Sequence, residues 1–128
     1  MLHLLDTSVC VSLIRGRSAA SALPPSESCI VSVITAAELE VGVHRSTHSR
    51  EQRQAVDGLL ACFTVLPFDA AVVADYGEIR ADLEKRGTVI GPLDLLLAAH
   101  AHSLGATVVT GNVGEFKRVK GLKVLAWK

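Results

Sequence analysis

Aromatic side chains are scarce in this 128-residue chain, which has three Phe, one Tyr and one Trp. Base stacking on aromatic platforms is therefore excluded as a main source of binding. Net charge is absent too, with thirteen basic residues balancing thirteen acidic ones. That excludes the strongly basic nucleic-acid binder whose charge alone gives it away. No apolar run reaches the roughly 18 residues of a membrane span. The opening Met1-Leu2-His3-Leu4-Leu5 has no basic flank and meets Asp6 too soon for a signal peptide. The three cysteines, Cys10, Cys29 and Cys62, are odd in number, far apart and without a C-x-x-C pair. Neither a disulfide framework nor a thiolate zinc site follows. Buried thiols in a reducing cytoplasm, with no membrane partner, are the expectation.

What remains is 49% hydrophobic, mostly Leu, Val, Ile and Ala. Such a core suits buried parallel strands covered by helices. Short apolar runs alternate with helical stretches. Strands are expected at Leu2–Leu5, Cys29–Ile34, Thr64–Leu66, Thr107–Val109 and Leu122–Leu125. Helices are expected over Ser8–Arg15, Thr35–His44, Ser49–Ala61, Ala70–Lys85 and Asp94–Leu104, the last closed by Gly105. A short helix at Ser18–Leu23 and one turn at Glu115–Val119 complete the pattern. With no repeat or long linker, the expectation is one domain over residues 1–128. Its fold class is α/β, a three-layer α/β/α sandwich around a mostly parallel sheet.

Parallel sheets gather their functional groups at the carboxyl ends of the strands. Asp6 follows the first strand, and Glu38 lies in the helix after the second. Asp94, behind the Gly91-Pro92 turn, opens a later helix. Each has a structural explanation. Asp6 and Asp94 suit helix starts, and Thr35-Ala36-Ala37-Glu38 reads as a capping box with Glu38 in its first turn. Together they suggest more. Two carboxylates about 4 Å apart repel by roughly 4 kcal/mol at an effective dielectric near 20. A cluster of three is tolerable beside a divalent cation, and such a site needs no Ser, Cys or His nucleophile. Periodicity does not show that the three converge.

Other groups read as structural. Asp6-Thr7-Ser8 lacks the second Asp that a haloacid-dehalogenase-type phosphatase needs. His44 and His48 have metal-compatible spacing but lie at a polar helix end. His100 and His102 face different ways, and His100 reads as a core histidine. Gly111 and Gly114 form no phosphate loop. The acids Glu40, Asp69, Asp75, Glu78, Asp82 and Glu84 read as solvated faces. Arg15, Arg17, Lys117 and Arg118 follow acid-bearing segments and could border a groove, holding phosphates.

The stretches Leu5-Asp6-Thr7-Ser8-Val9-Cys10, Val33-Ile34-Thr35-Ala36-Ala37-Glu38-Leu39 and Ile90-Gly91-Pro92-Leu93-Asp94-Leu95 carry a resemblance. So do Thr107-Val108-Val109-Thr110-Gly111-Asn112-Val113-Gly114-Glu115-Phe116 and the tail from Val119 to Trp127. In this order and spacing the chain resembles the PIN-domain ribonucleases, and among them the VapC-type toxins of bacterial toxin–antitoxin pairs. The resemblance implies an endoribonuclease dependent on Mg²⁺, with Mn²⁺ as substitute, acting on structured RNA such as transfer or ribosomal RNA. Asp6, Glu38 and Asp94 would be metal ligands and catalytic acids. Asn112 would stand in the place of a further Asp or Asn, with Glu115 three residues on. Ser8 replaces the usual Asn and could orient Asp6. The implied partners are a small antitoxin protein and, through apolar helices, a second copy of the chain. Readings left open are a related nuclease acting on DNA or in RNA maturation, and an inactive interaction module.

Overall fold

The computed structural model describes residues 1–16 and 20–127. Among them five strands form one sheet: β1 (His3–Leu5), β2 (Cys29–Ser32), β3 (Thr64–Leu66), β4 (Thr107–Thr110) and β5 (Lys123–Ala126). Their order is β3-β2-β1-β4-β5, and every pairing is parallel. The helices are α1 (Thr7–Ile14), α2 (Val33–Arg45), α3 (Ser49–Ala61), α4 (Val73–Lys85), α5 (Pro92–Leu104) and α6 (Val113–Phe116).

Strand periodicity of two divides the apolar residues between two cores. Leu4, with its partners Ile30 and Val108, faces Ile79 and Leu83 of α4 and Leu95, Leu97 and Ala98 of α5. Leu5, with Val31 and Val109, faces Val9 of α1, Leu39 of α2 and Val56 of α3. Each buried Leu or Val contributes about 1.5–3 kcal/mol of apolar transfer. This is the expected α/β/α sandwich, with all of its strands parallel.

From the central strand β1 the chain winds outward to β2 and β3, then crosses back to β4 on the other flank. A reversal of this kind opens a crevice at the strands' carboxyl ends. Asp6 sits there, its backbone N–H donating to the Val109 carbonyl at 3.1 Å.

Several boundaries shift by one to three residues from expectation, and those of α2 and α5 bear on the acids. β2 stops at Ser32, whose hydroxyl accepts the Ile34 N–H at 3.1 Å and caps α2. A side-chain cap is worth about 1 kcal/mol, more than the few tenths by which β-branched Val33 and Ile34 disfavour helix. Thr35 is therefore inside α2, buried, with its hydroxyl 3.1 Å from that of Thr7. The capping box does not form, and Glu38 stands a turn further along than expected. At α5, Gly91 is the N-cap and Pro92 the first helical residue, so Asp94 lies in the first turn but is not a cap. The one-turn helix after β4 spans Val113–Phe116 rather than Glu115–Val119, because the chain turns directly after Asn112. Gly105 closes α5 at φ 64° as expected. Of the helix expected at Ser18–Leu23, a 3₁₀ turn at Ala20–Ala22 is seen; Ser18 and Arg17 lie outside the described residues.

Candidate functional site

Asp6 is 2% exposed. Its position as N-cap of α1 turns the carboxylate back toward the backbone, where Oδ1 accepts the Val9 N–H at 3.0 Å. The Ser8 hydroxyl donates to the same oxygen at 2.6 Å, and the Thr110 hydroxyl donates to Oδ2. Two further bonds lock those hydroxyls. Gly111 N–H donates to Ser8 Oγ at 3.2 Å, and Asn112 N–H donates to Thr110 Oγ1 at 2.8 Å. Ser8 thus orients Asp6 and ties α1 to the loop after β4. Thr110, at the end of an apolar strand, gave no sign of this role in the sequence.

Asp94 meets an acid that was not among the leading candidates. Asn112 donates through its side-chain amide to Asp94 Oδ2 at 3.1 Å and to Glu115 Oε2 at 2.5 Å. Glu115 Oε1 accepts the Gly91 N–H at 3.0 Å. Burial, a hydrogen bond to Glu115 and the charge of Glu115 push the Asp94 carboxyl up to about 7, with Asp6 adding to the repulsion. Glu115 is held below its ordinary value by its bond to Asp94 and by the Gly91 N–H. As pH rises through about 7 the pair therefore passes from one bound proton to none. The spacing Asn112-Val113-Gly114-Glu115 is the signal that could have found the pair, since one helical turn returns Glu115 to the side of Asn112.

Glu38 stands apart from this group. It lines a neighbouring cleft of about 420 Å³ with Thr7, Arg15, Leu39, Gly42 and Arg45. Its carboxylate holds no hydrogen bond among the described residues, and beside it a Thr7–Thr35 hydroxyl contact links α1 to α2. Among the described residues no group of three or more His, Cys, Asp or Glu is arranged to hold a metal ion. The structure therefore gathers Asp6, Asp94, Asn112 and Glu115 at the crevice, with Glu38 on the adjoining cleft. Arg15 belongs to that cleft, and Arg118 lowers the Glu115 carboxyl through its charge. His44 pairs with Glu40 at 3.0 Å, and Glu40 also accepts from Arg53 of α3, which holds it at about 2.

The proton shared by Asp94 and Glu115 has a measurable consequence. A carboxyl raised from 3.8 to about 7 on folding binds a proton in the native state that the unfolded chain has lost. Stability is therefore present below about pH 4 and declines as pH rises through 7. The lowered Glu115 acts in the opposite sense, at the acid end of that window. Melting in chelator between pH 5 and 8 should show a fall of several degrees. That fall should be absent in Asp94→Asn.

The fold and the site define a class: a parallel α/β/α domain with crowded carboxylates at the carboxyl edge of its sheet. The family model described as PIN domain matches residues 3–122. The Rickettsia felis protein named ribonuclease VapC2 is 35% identical, the match covering 99% of this chain and 98% of the relative. The Shigella flexneri protein named tRNA(fMet)-specific endonuclease VapC is 36% identical, over 97% and 96%. Among solved structures, VapBC2 from Rickettsia felis, bound to a promoter DNA fragment, superposes with a TM-score of 0.93 at 34% identity over the whole of both chains. VapBC-1 from nontypeable Haemophilus influenzae gives 0.88 at 33% identity, over 99% of this chain and 98% of that one. The chain belongs to the PIN-domain family, among its VapC-type ribonucleases.

Proposed function

We propose that the chain is the toxin of a type II toxin–antitoxin pair, a metal-dependent endoribonuclease cutting structured RNA, of the transfer or ribosomal class. Asp6, Glu38 and Asp94 are its acids, with Glu115 as a fourth and Asn112 as their uncharged partner. The observation that carries this reading is the crowding of Asp94 and Glu115, both held by the one Asn112 amide, beside buried Asp6. A carboxyl kept protonated near pH 7 marks acids crowded without a cation's charge to offset them. The donors are all oxygen, a set that suits Mg²⁺ or Mn²⁺. Mg²⁺ takes one or two carboxylates and keeps several waters, so Asp6 and Asp94 would hold the ion, with Glu38 and Glu115 beside them. When bound, such an ion polarises the phosphodiester and makes a nucleophile of water at neutral pH.

The chain's own residues do the rest. Three donors fix the Asp6 carboxylate, so it is oriented before substrate arrives. Asn112 holds Asp94 and Glu115 in place through one amide. Their shared proton must leave before both acids carry charge, so activity rises with pH through about 7. Arg15 and Arg45, beside Glu38, meet phosphates flanking the cut. Replacing either by Ala should weaken RNA binding several-fold at low salt. The slope of log affinity against log salt should drop by about 0.7 for each single-strand phosphate the protein no longer neutralises. Filter binding at several salt concentrations measures both.

The test of the reading is sequencing of RNA ends after brief expression in a bacterial cell, paired with cleavage in vitro in Mg²⁺, Mn²⁺ or chelator. Discrete new ends that need the ion support it. Absence of cleavage in all three would reject it. Two partners follow from the same reading. A small protein encoded beside this gene should co-purify with the chain, as the VapBC neighbours are two-protein complexes. Exposed apolar side chains on the helices, Val41 of α2 and Val73 of α4 among them, offer surface for a second copy. Light scattering should then give twice the 13.5 kDa chain mass.

A further inference from the structure

We propose that His100 is a positioning residue: from inside α5 it holds the start of α2, and so sets where Glu38 stands relative to Asp94. His100 is 1% exposed, its Nδ1 2.8 Å from the Ser32 hydroxyl across 68 residues of sequence. The Pro67 carbonyl, just after β3, also bonds the ring. With Nδ1 unprotonated the ring accepts the Ser32 hydroxyl proton, and the Pro67 carbonyl, which only accepts, favours that tautomer. The same Ser32 oxygen accepts the Ile34 N–H and caps α2. Burial holds the ring below its ordinary pKa and hence neutral, against the pull of Asp69. Phe68 fixes the ring plane from its edge, with centroids 5.4 Å apart.

This arrangement spans both acid-bearing helices. Ser32 lies six residues before Glu38, and His100 six residues after Asp94, so each anchor is about 9 Å along its helix from an acid. No hydrogen bond joins Glu38 to the Asp94 group among the described residues, and the anchors supply the tie that the acids lack. A core position that only needed volume would be filled by Leu. A buried polar ring is costly unless bonded, and this one is bonded through Nδ1 to Ser32.

The inference rests on the nuclease reading above, and the test separates the two. His100→Leu keeps volume and removes the bond, while His100→Asn keeps an acceptor near the place of Nδ1. Measurements are kcat and KM for RNA cleavage well below each variant's melting temperature, together with Mn²⁺ affinity by titration without RNA. His100→Leu should lower kcat at least tenfold, with KM changed less than threefold and Mn²⁺ bound several-fold more weakly. His100→Asn should recover most of both losses. A folded His100→Leu with wild-type kcat and Mn²⁺ affinity would overturn the proposal, as would equal losses in the two variants. If neither variant folds, Ser32→Ala approaches the same bond from α2 and should show the same kcat loss; unchanged kcat there would overturn it. Wild-type protein that cuts no RNA would sink the nuclease reading, and Mn²⁺ affinity alone would then decide the role of His100.

Discussion

Asp94→Asn should reduce cleavage by two to three orders of magnitude and at the same time raise the melting temperature in chelator at pH 8. The two effects share a cause. Asp94 is not the cap of α5, since Gly91 holds that position, so no cap is lost. Above pH 7 its carboxylate faces Glu115 and Asp6 with a charge the site disfavours, as its raised pKa shows. An amide removes that charge and can still accept from Asn112. The gain should be on the order of 1 kcal/mol, since one pKa unit corresponds to about 1.4 kcal/mol and the pair relaxes by sharing its proton. Loss of an acid that helps to activate water accounts for the fall in rate. Cleavage assays and thermal unfolding on the same preparation decide it. A variant that melts lower and cuts normally would assign Asp94 to structure alone.

Asp6→Asn should lose comparable activity but behave oppositely in stability. Its carboxylate accepts from the Ser8 hydroxyl, the Val9 N–H and the Thr110 hydroxyl within a site 2% exposed. An amide offers one oxygen to donors on both sides and turns its own N–H₂ toward one of them. Whichever hydroxyl faces the N–H₂ must turn its own proton away and leave it without an acceptor, which costs about 1–3 kcal/mol. In a chain of this length that is roughly 5–10 °C in melting temperature. Ser8→Ala should show a smaller loss of the same kind, because Gly111 N–H loses its acceptor as well. If Asp6→Asn melts like wild type, the closed ring of donors around Asp6 is not what holds the loop after β4 in place.

These contrasting outcomes were not legible in the sequence, where Asp6, Glu38 and Asp94 looked like equivalent acids at helix starts. The alternation of apolar strands with helices was enough to give the α/β/α class, because a buried parallel strand must read as an apolar run. Asp6 was also legible, since the residue after the first strand of such a sheet falls at its carboxyl edge. Glu38 was misplaced by a turn. Val33 and Ile34 extend an apolar run that looks like strand, and only the bond from Ile34 N–H to Ser32 Oγ shows that the helix has begun.

Local patterning alone was sufficient for the buried faces, for the order of strands and helices, and for acids after β1 and near the starts of α2 and α5. Those properties depend on periodicity and on turn chemistry a few residues wide. Which acid meets which was settled by the folded chain. Asp94 shares its proton with Glu115, 21 residues on, Asp6 is closed in by Thr110, 104 residues away, and Ser32 answers to His100 across 68. The two pairs at the crevice form because the crossover back to β4 brings its loop against β1, and no spacing along the chain encodes the distance across it.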